Sequence, residues 1–144
     1  MLRIISDFTK EVLGSPDNLI EELTKAHTRK TGSGLLRFDD IEKEGGKLTE
    51  LKDMVCHAVA REILSSWRMR HHSGGGDVLM HSHNKHWTAI YYPNTHPAPL
   101  LLEGDDNYTP MTDELVILPA GEMHGVEENR TDTPRYSVVY LFDS

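Results

Sequence analysis

The chain contains 144 residues, of which 38% are hydrophobic and 26% charged, and this length and composition predict a single globular domain over residues 1–144. Its 15 basic and 23 acidic residues give a net charge of −8, which argues against nucleic acid or a membrane surface as the main partner. The single cysteine excludes an internal disulfide, so any metal site must use histidine and carboxylate ligands.

Residues 1–66 are predicted to be mainly helical. A Ser-Pro pair typical of a helix start precedes apolar residues at helical spacing, which predict a helix over 16–29. A second helix is predicted from Leu48 to near Trp67, where apolar residues share one face. One short extended piece is expected at 35–38. Because no apolar run could span a bilayer and the amino terminus does not read as a signal peptide, we expect a cytoplasmic protein.

From residue 67 to residue 144 the pattern changes to strands. Short runs rich in β-branched and aromatic residues alternate with clusters of Gly, Pro, Asn and Asp. The predicted strands are 78–80, 88–92, 100–102, 115–118 and 136–142. This order predicts an α+β protein, mainly β, in which amino-terminal helices pack on one sheet of a sandwich or small barrel.

Seven of the nine histidines lie between residues 71 and 124. His81 and His83 are two residues apart, so in a strand both imidazoles point to the same face. His124 ends a Pro-x-Gly-x-x-His segment, whose turn can aim a third imidazole at the same point. Three protein ligands with open positions are typical of a catalytic metal site, and imidazoles suit iron, zinc, copper or nickel. The alternative is three partly exposed histidines on a polar sheet face.

The other histidines of this stretch lie in polar or proline-rich segments and are expected at the surface. They are His71, His72, His86 and His96. Of these, His86 is the candidate for a spare metal ligand. Trp87 is a candidate wall of the pocket, and a place in the sheet core is its alternative.

Arg135 begins the last strand, and Ser137 follows on the same strand face. An arginine near a metal offers a planar fork to a carboxylate, and the serine hydroxyl can donate to the same group. The pair therefore predicts a site for an acid. The alternative is a surface arginine that pairs with Glu127, Glu128 or Asp132.

The stretches HSHNKHWTAIYYP and DELVILPAGEMHGVEENRTDTPRYSVVYLFD resemble the ferrous iron and 2-oxoglutarate-dependent oxygenases, especially small microbial and phage-type members, over residues 67–142. The resemblance implies a double-stranded β-helix, a jelly-roll barrel with the metal inside one mouth. It implies that His81 and His124 bind iron. The residues that it assigns to the 2-oxoglutarate pocket are Arg135, Ser137, Tyr91 and Tyr92.

Position 83 departs from this family, whose second ligand is a carboxylate in H-x-D or H-x-E. His83 is therefore a third ligand, leaves a coordination position to water, or marks altered or lost activity. The cupins are a second resemblance, because Gly75, the H-x-H pair and the Pro-x-Gly-x-x-His segment follow their two motifs. The glutamate that cupins carry after the H-x-H pair is missing.

Together the resemblances imply an enzyme that hydroxylates an unknown small molecule or peptide with Fe(II), O2 and 2-oxoglutarate. One alternative is a three-histidine cupin enzyme, a dioxygenase, isomerase or lyase that does not use 2-oxoglutarate, with Zn, Ni, Mn or Cu as other metals. A second alternative is a non-catalytic domain that binds a metal or a small molecule. A homodimer formed through a sheet face or edge is a further expectation.

Overall fold

A computed structural model describes residues 2–10, 19, 35–37, 46–71, 78–83, 85–104 and 106–143. These residues form nine strands and one helix. In chain order they are β1 (Arg3–Ile5), β2 (Leu35–Arg37), α1 (Lys47–Val59), β3 (Ile63–His71), β4 (Val78–His81), β5 (Trp87–Tyr92), β6 (Leu100–Leu102), β7 (Glu114–Leu118), β8 (His124–Val126) and β9 (Arg135–Phe142).

The strands form two antiparallel sheets. The larger sheet has six strands in the order β1-β7-β5-β9-β3-β2, and the smaller sheet has three in the order β4-β8-β6. From β3 to β9, successive strands alternate between the large and the small sheet. This alternation builds a double-stranded β-helix and confirms the predicted mainly β fold.

Strand β5 shows how the large sheet separates two apolar layers. Ala89 and Tyr91 belong to the layer beneath α1, whereas Ile90 and Tyr92 belong to the layer between the two sheets. Neighbouring strand residues point to opposite faces, so one strand serves both layers. The residues through which α1 packs on the large sheet are Leu48, Leu51 and Val55.

Helix α1 ends at Val59 and not near Trp67, so the predicted end of the second helix is wrong. Ala60 adopts a left-handed conformation with φ of 55°, which stops the helix. Ile63 then begins β3 and pairs with Phe142 of β9. Val59 and Ile63 share helical spacing, but pairing with a strand far along the chain determines the structure of this segment.

The amino-terminal part contributes strands as well as a helix. Of the helix predicted over 16–29, only Leu19 lies within the described residues, and it is buried in the layer beneath α1. The extended piece expected at 35–38 corresponds to β2, and β1 was not predicted. Both are edge strands of the large sheet. No helix within the described ranges is long and apolar enough to cross a membrane.

Candidate functional site

Three histidines meet in the cavity between the two sheets. His81 and His124 face each other across β4 and β8, with ring centroids 4.5 Å apart. The ring centroid of His83 lies 4.9 Å from that of His81 and 5.4 Å from that of His124. One ligand atom from each ring lies within 4.8 Å of the other two. The structure thus brings together the three predicted metal ligands.

Backbone carbonyl groups orient two of the rings. His81 Nδ1 lies 2.8 Å from the Leu79 carbonyl oxygen, and His124 Nδ1 lies 2.9 Å from that of Glu122. Because a carbonyl only accepts, each Nδ1 carries the proton and each Nε2 keeps its lone pair for a metal. His83 Nε2 is buried and has no hydrogen-bond partner within the described chain. A nitrogen of each ring is therefore available as a ligand.

Burial favours the neutral form of the His83 and His124 imidazoles. Burial is the main reason that the pKa of His83 is lowered to about 4. The charges of the neighbouring histidines add to this shift, in the order His81, His124 and His86. Burial also lowers the pKa of His124, although its hydrogen bond to the Glu122 carbonyl opposes this shift. A metal binds the neutral imidazole, so protons compete weakly for these two ligands at neutral pH.

A buried arginine lines the same cavity. Arg135 is 2% exposed, and its Nη2 atom has no hydrogen-bond partner among the residues described. Its guanidinium carbon lies 4.9 Å from the centroid of the Tyr92 ring, a favourable cation–π contact. Ser137, the next residue on that face of β9, lines the cavity too. The site therefore offers a guanidinium and a hydroxyl side by side.

No Asp or Glu of the described chain lines this cavity. The apolar part of its wall is formed by Trp67, Met69, Ile90, Leu100, Val126 and Val139. A buried guanidinium without a carboxylate partner is costly, and apolar walls strengthen its attraction for an anion. The cavity is therefore suited to an anionic ligand that reaches Arg135.

Tyr91 lies on the opposite face of β5 and does not line the cavity, so only Tyr92 of the predicted pair does. The Tyr91 hydroxyl donates to Asp113 Oδ1 at 2.6 Å, and the Thr9 hydroxyl donates to the same oxygen at 2.6 Å. Burial and the bond to Asp113 raise the pKa of Tyr91, which keeps its hydroxyl protonated. Tyr91 therefore joins the amino-terminal segment to the sheet.

Replacing Tyr91 with Phe should lower the free energy of unfolding by about 2 kcal/mol, because the buried Asp113 carboxylate loses a donor. Binding of metal and of acids in the histidine cavity should not change. Urea unfolding and isothermal titration measure the two effects. Thr9→Val removes another donor to the Asp113 carboxylate, so it should likewise lower the stability and leave binding in the histidine cavity unchanged. A loss of metal affinity at unchanged stability would contradict this assignment of Tyr91.

The structure does not bring His86 or Trp87 into the cavity. His86 Nδ1 lies 2.8 Å from Asp143 Oδ1, and the His86 amide donates to the His83 carbonyl at 3.1 Å. Trp87 packs on the α1 side, with its ring centroid 6.3 Å from that of Phe142. His86 therefore closes the turn that carries His83, and Trp87 belongs to the other layer.

Trp67 is the tryptophan that lines the histidine cavity. Its ring centroid lies 5.6 Å from that of His83. Trp67 and Met69 are two residues apart on β3, so both side chains face the cavity. Helical spacing assigned Trp67 to the end of a helix and so did not predict its place in the cavity, although its two-residue spacing from Met69 was the available signal.

His96 was expected at the surface, but it is only 3% exposed. Its Nδ1 accepts from the Ala98 amide at 3.1 Å, and its Nε2 donates to the Thr133 carbonyl at 3.1 Å. The same Nε2 lies 2.9 Å from the Thr131 hydroxyl. Burial lowers the pKa of His96, and the charge of Arg135 adds to this. His96 thus holds, as a neutral ring, the segment that leads into Arg135.

Replacing His96 with Ala should lower the free energy of unfolding by about 2 kcal/mol at neutral pH, because the buried Ala98 amide loses its acceptor and the Thr133 carbonyl loses one of its donors. The folded protein resists protonating His96, so the ring's contribution is complete above its ordinary pKa and declines as pH falls below it. Urea unfolding should therefore show a smaller gap between the two proteins at about pH 5.5 than at about pH 7.5.

A matched control is His57→Ala, because His57 is exposed on α1. This variant should unfold like the parent protein at both pH values. An unchanged stability of the His96→Ala protein would show that the hydrogen bonds of His96 do not hold the segment before β9.

Comparison with known proteins gives structural neighbours. No family model matches the chain, and no curated protein matches it. HygX from Streptomyces hygroscopicus, with nickel and 2-oxoglutarate bound, has a TM-score of 0.76 at 11% identity over 99% of this chain and 82% of its own. The α-ketoglutarate-dependent epimerase SnoN from nogalamycin biosynthesis has a TM-score of 0.76 at 10% identity, and the match covers 99% of this chain and 76% of SnoN.

A third neighbour is a prolyl hydroxylase from Trichoplax adhaerens, in complex with a peptide of hypoxia inducible factor. Its TM-score is 0.75 at 15% identity, over 99% of this chain and 83% of the hydroxylase. At these identities the likeness establishes a shared fold. The chain therefore has the fold of 2-oxoglutarate- and iron-dependent oxygenases.

Proposed function

We propose that this protein is an oxygenase that uses ferrous iron and 2-oxoglutarate to hydroxylate a small molecule or a peptide. One observation carries the proposal: a single cavity holds three histidines with available nitrogens and a buried arginine without a carboxylate partner. The neighbours support it, because HygX binds 2-oxoglutarate in a structure of the same fold.

His81, His83 and His124 would hold the metal. The donors fit, because two rings direct Nδ1 to backbone carbonyls and the buried His83 Nε2 has no other described partner. Three neutral imidazoles leave the charge of a divalent ion uncompensated, which favours an acid as a further ligand. When bound, a ferrous ion supplies the oxidation chemistry, in which O2 is consumed and 2-oxoglutarate becomes succinate and carbon dioxide.

Arg135 and Ser137 would bind the distal carboxylate of 2-oxoglutarate. The guanidinium can donate two parallel hydrogen bonds to a carboxylate, and the Tyr92 ring supports it from one side. A dicarboxylate can place one carboxylate at the metal ion and the other at Arg135, whereas a monocarboxylate can reach only one of these two cations. This charge balance favours a dicarboxylate co-substrate over a neutral ligand.

The apolar wall would exclude water while the reaction proceeds. Trp67 packs beside His83, and Val139 lies on the same face of β9 as Ser137. The neighbours leave the substrate class open, since one is in complex with a peptide and another is an epimerase of nogalamycin biosynthesis. Both a small molecule and a peptide therefore remain within the proposal.

His83 favours a second candidate, because an imidazole occupies the position where the resembling oxygenases carry a carboxylate. In that case the protein is a three-histidine enzyme that does not use 2-oxoglutarate, either a dioxygenase or an isomerase or lyase with the metal as Lewis acid. A domain that binds the metal without catalysis is the remaining alternative.

Anaerobic titration of ferrous iron, followed by 2-oxoglutarate, separates these functions. We expect saturable iron binding and then a visible charge-transfer absorption that saturates with 2-oxoglutarate. The zinc-loaded protein is the control and should show no such absorption. Bound iron without the absorption would contradict 2-oxoglutarate use and support the three-histidine enzyme. Absence of iron binding would contradict both.

A further inference from the structure

A second cavity opens on the other face of the large sheet, on the side of α1. Its volume is about 230 Å³, and the described residues that line it are Arg3, Val59, Arg61, Trp87, Ile117 and Phe142. It shares no lining residue with the histidine cavity. The two cavities are separate because Trp87 and Ile90 point to opposite faces of β5.

The early end of α1 accounts for this cavity. The helix stops at Val59, so the sheet extends beyond the part that the helix covers. Cross-strand neighbours form the floor. Arg3 faces Ile117 between β1 and β7, and Trp87 faces Phe142 between β5 and β9. An apolar and aromatic floor therefore lies at the end of the helix, where Trp87 is half-buried and Ile117 and Phe142 are 3% and 4% exposed.

Among the described residues, two guanidinium groups are the charged groups that line this cavity. Arg3 and Arg61 are both exposed, and neither forms an ion pair within the described chain. The Nη1 atom of Arg61 donates to the Ala60 carbonyl at 2.8 Å, which leaves other donors of the same guanidinium for a ligand. In a chain of net charge −8, the described part of the cavity lining thus offers cations alone to a bound group.

We propose that this cavity binds a small aromatic carboxylate. The ring of the ligand lies against Trp87 and Phe142, and its carboxylate reaches Arg3 and Arg61. The volume is below the range of about 300–1,000 Å³ of drug-sized sites, which favours a ligand with one ring. This site does not depend on metal or 2-oxoglutarate.

Tryptophan fluorescence tests the proposal directly. The chain has two tryptophans, so a Trp67→Phe protein reports on Trp87 alone. We expect 3-phenylpropionate to change this fluorescence saturably. Arg3→Gln and Arg61→Gln should each weaken binding about threefold, and together about tenfold, as exposed charge pairs do. The neutral analogue 3-phenylpropanol should bind the parent protein as weakly as 3-phenylpropionate binds the double variant.

Two further variants test whether the fluorescence change comes from 3-phenylpropionate bound in this cavity. Arg130→Gln removes an exposed arginine elsewhere and should leave the affinity for 3-phenylpropionate unchanged. Arg135→Met should also leave it unchanged, since Arg135 lines the other cavity. The proposal is overturned by an unsaturable response, by full affinity in the double variant, or by a loss in Arg135→Met. The iron titration tests the proposed function separately, so the two failures are distinguishable.

Discussion

Replacing His124 with Ala is expected to abolish tight binding of ferrous iron. His124 is buried, lies directly across from His81 and presents its Nε2 to the shared point. Loss of a partner outside the ligand shell costs metal affinity about 10- to 100-fold, so loss of a ligand should cost more than about 100-fold. Anaerobic titration calorimetry, or competition with a chelator of known affinity, measures this loss.

His86→Ala is the matched control, because the ring of His86 pairs with Asp143 outside the group of three. It should retain most of the metal affinity. Tight iron binding by the His124→Ala protein would contradict the proposed metal site. Circular dichroism of each variant establishes that a loss of binding does not reflect unfolding.

Two substitutions at position 83 determine whether this histidine is a ligand. His83→Ala should weaken metal binding strongly if the ring completes the site. His83→Asp should retain the metal, because a carboxylate also suits iron and adds a compensating charge. If His83→Ala binds iron as tightly as the parent protein, water occupies that coordination position and His83 is only a neighbour.

The sequence predicted much of the site because local rules apply to it. His81 ends β4 and His83 lies just beyond the strand, so their closeness in sequence, and not strand alternation, brings their rings together. The turn before His124 directs a third ring to them. Arg135 and Ser137 are two apart on one strand and so face the same cavity. The pairs His81 with His83 and Arg135 with Ser137 are close together in sequence, which is why spacing indicated them. The meeting of His124 with His81 depends instead on the pairing of β4 with β8.

The pocket aromatics could not be assigned in this way. Tyr91 and Tyr92 are adjacent, so the strand must direct them to opposite faces, and the motif does not say which one points inward. Trp67 was assigned to a helix since helical spacing continues beyond Val59. Its place on β3 depends on pairing with β9, where it faces Val139.

Buried polar contacts between distant residues were also beyond the sequence. Asp113 accepts from Thr9, which is 104 positions away, and His96 binds the Thr133 carbonyl 37 positions away. No local pattern reports such contacts. His96 lies in a proline-rich segment and therefore resembled a surface residue.

Replacing Arg135 with Met is expected to weaken binding of 2-oxoglutarate strongly while the metal affinity is retained. The guanidinium would make two charge-assisted hydrogen bonds to the distal carboxylate, and losing them should cost about 3 kcal/mol, or about a hundredfold in Kd. Methionine has an unbranched side chain that fills irregular space among apolar residues. The charge-transfer absorption of the iron-loaded variant, titrated with 2-oxoglutarate, measures the loss.

A second ligand isolates the role of the arginine. 2-Oxovalerate keeps the keto acid end and chain length but lacks the distal carboxylate, so it should bind the parent protein and the Arg135→Met variant equally weakly.

The stability of the Arg135→Met variant is a further test. Because Arg135 is a buried cation without a carboxylate partner in its cavity, its replacement by an apolar side chain should leave the free energy of unfolding unchanged or higher. A variant that is less stable, yet binds both acids as the parent does, would show that Arg135 is structural.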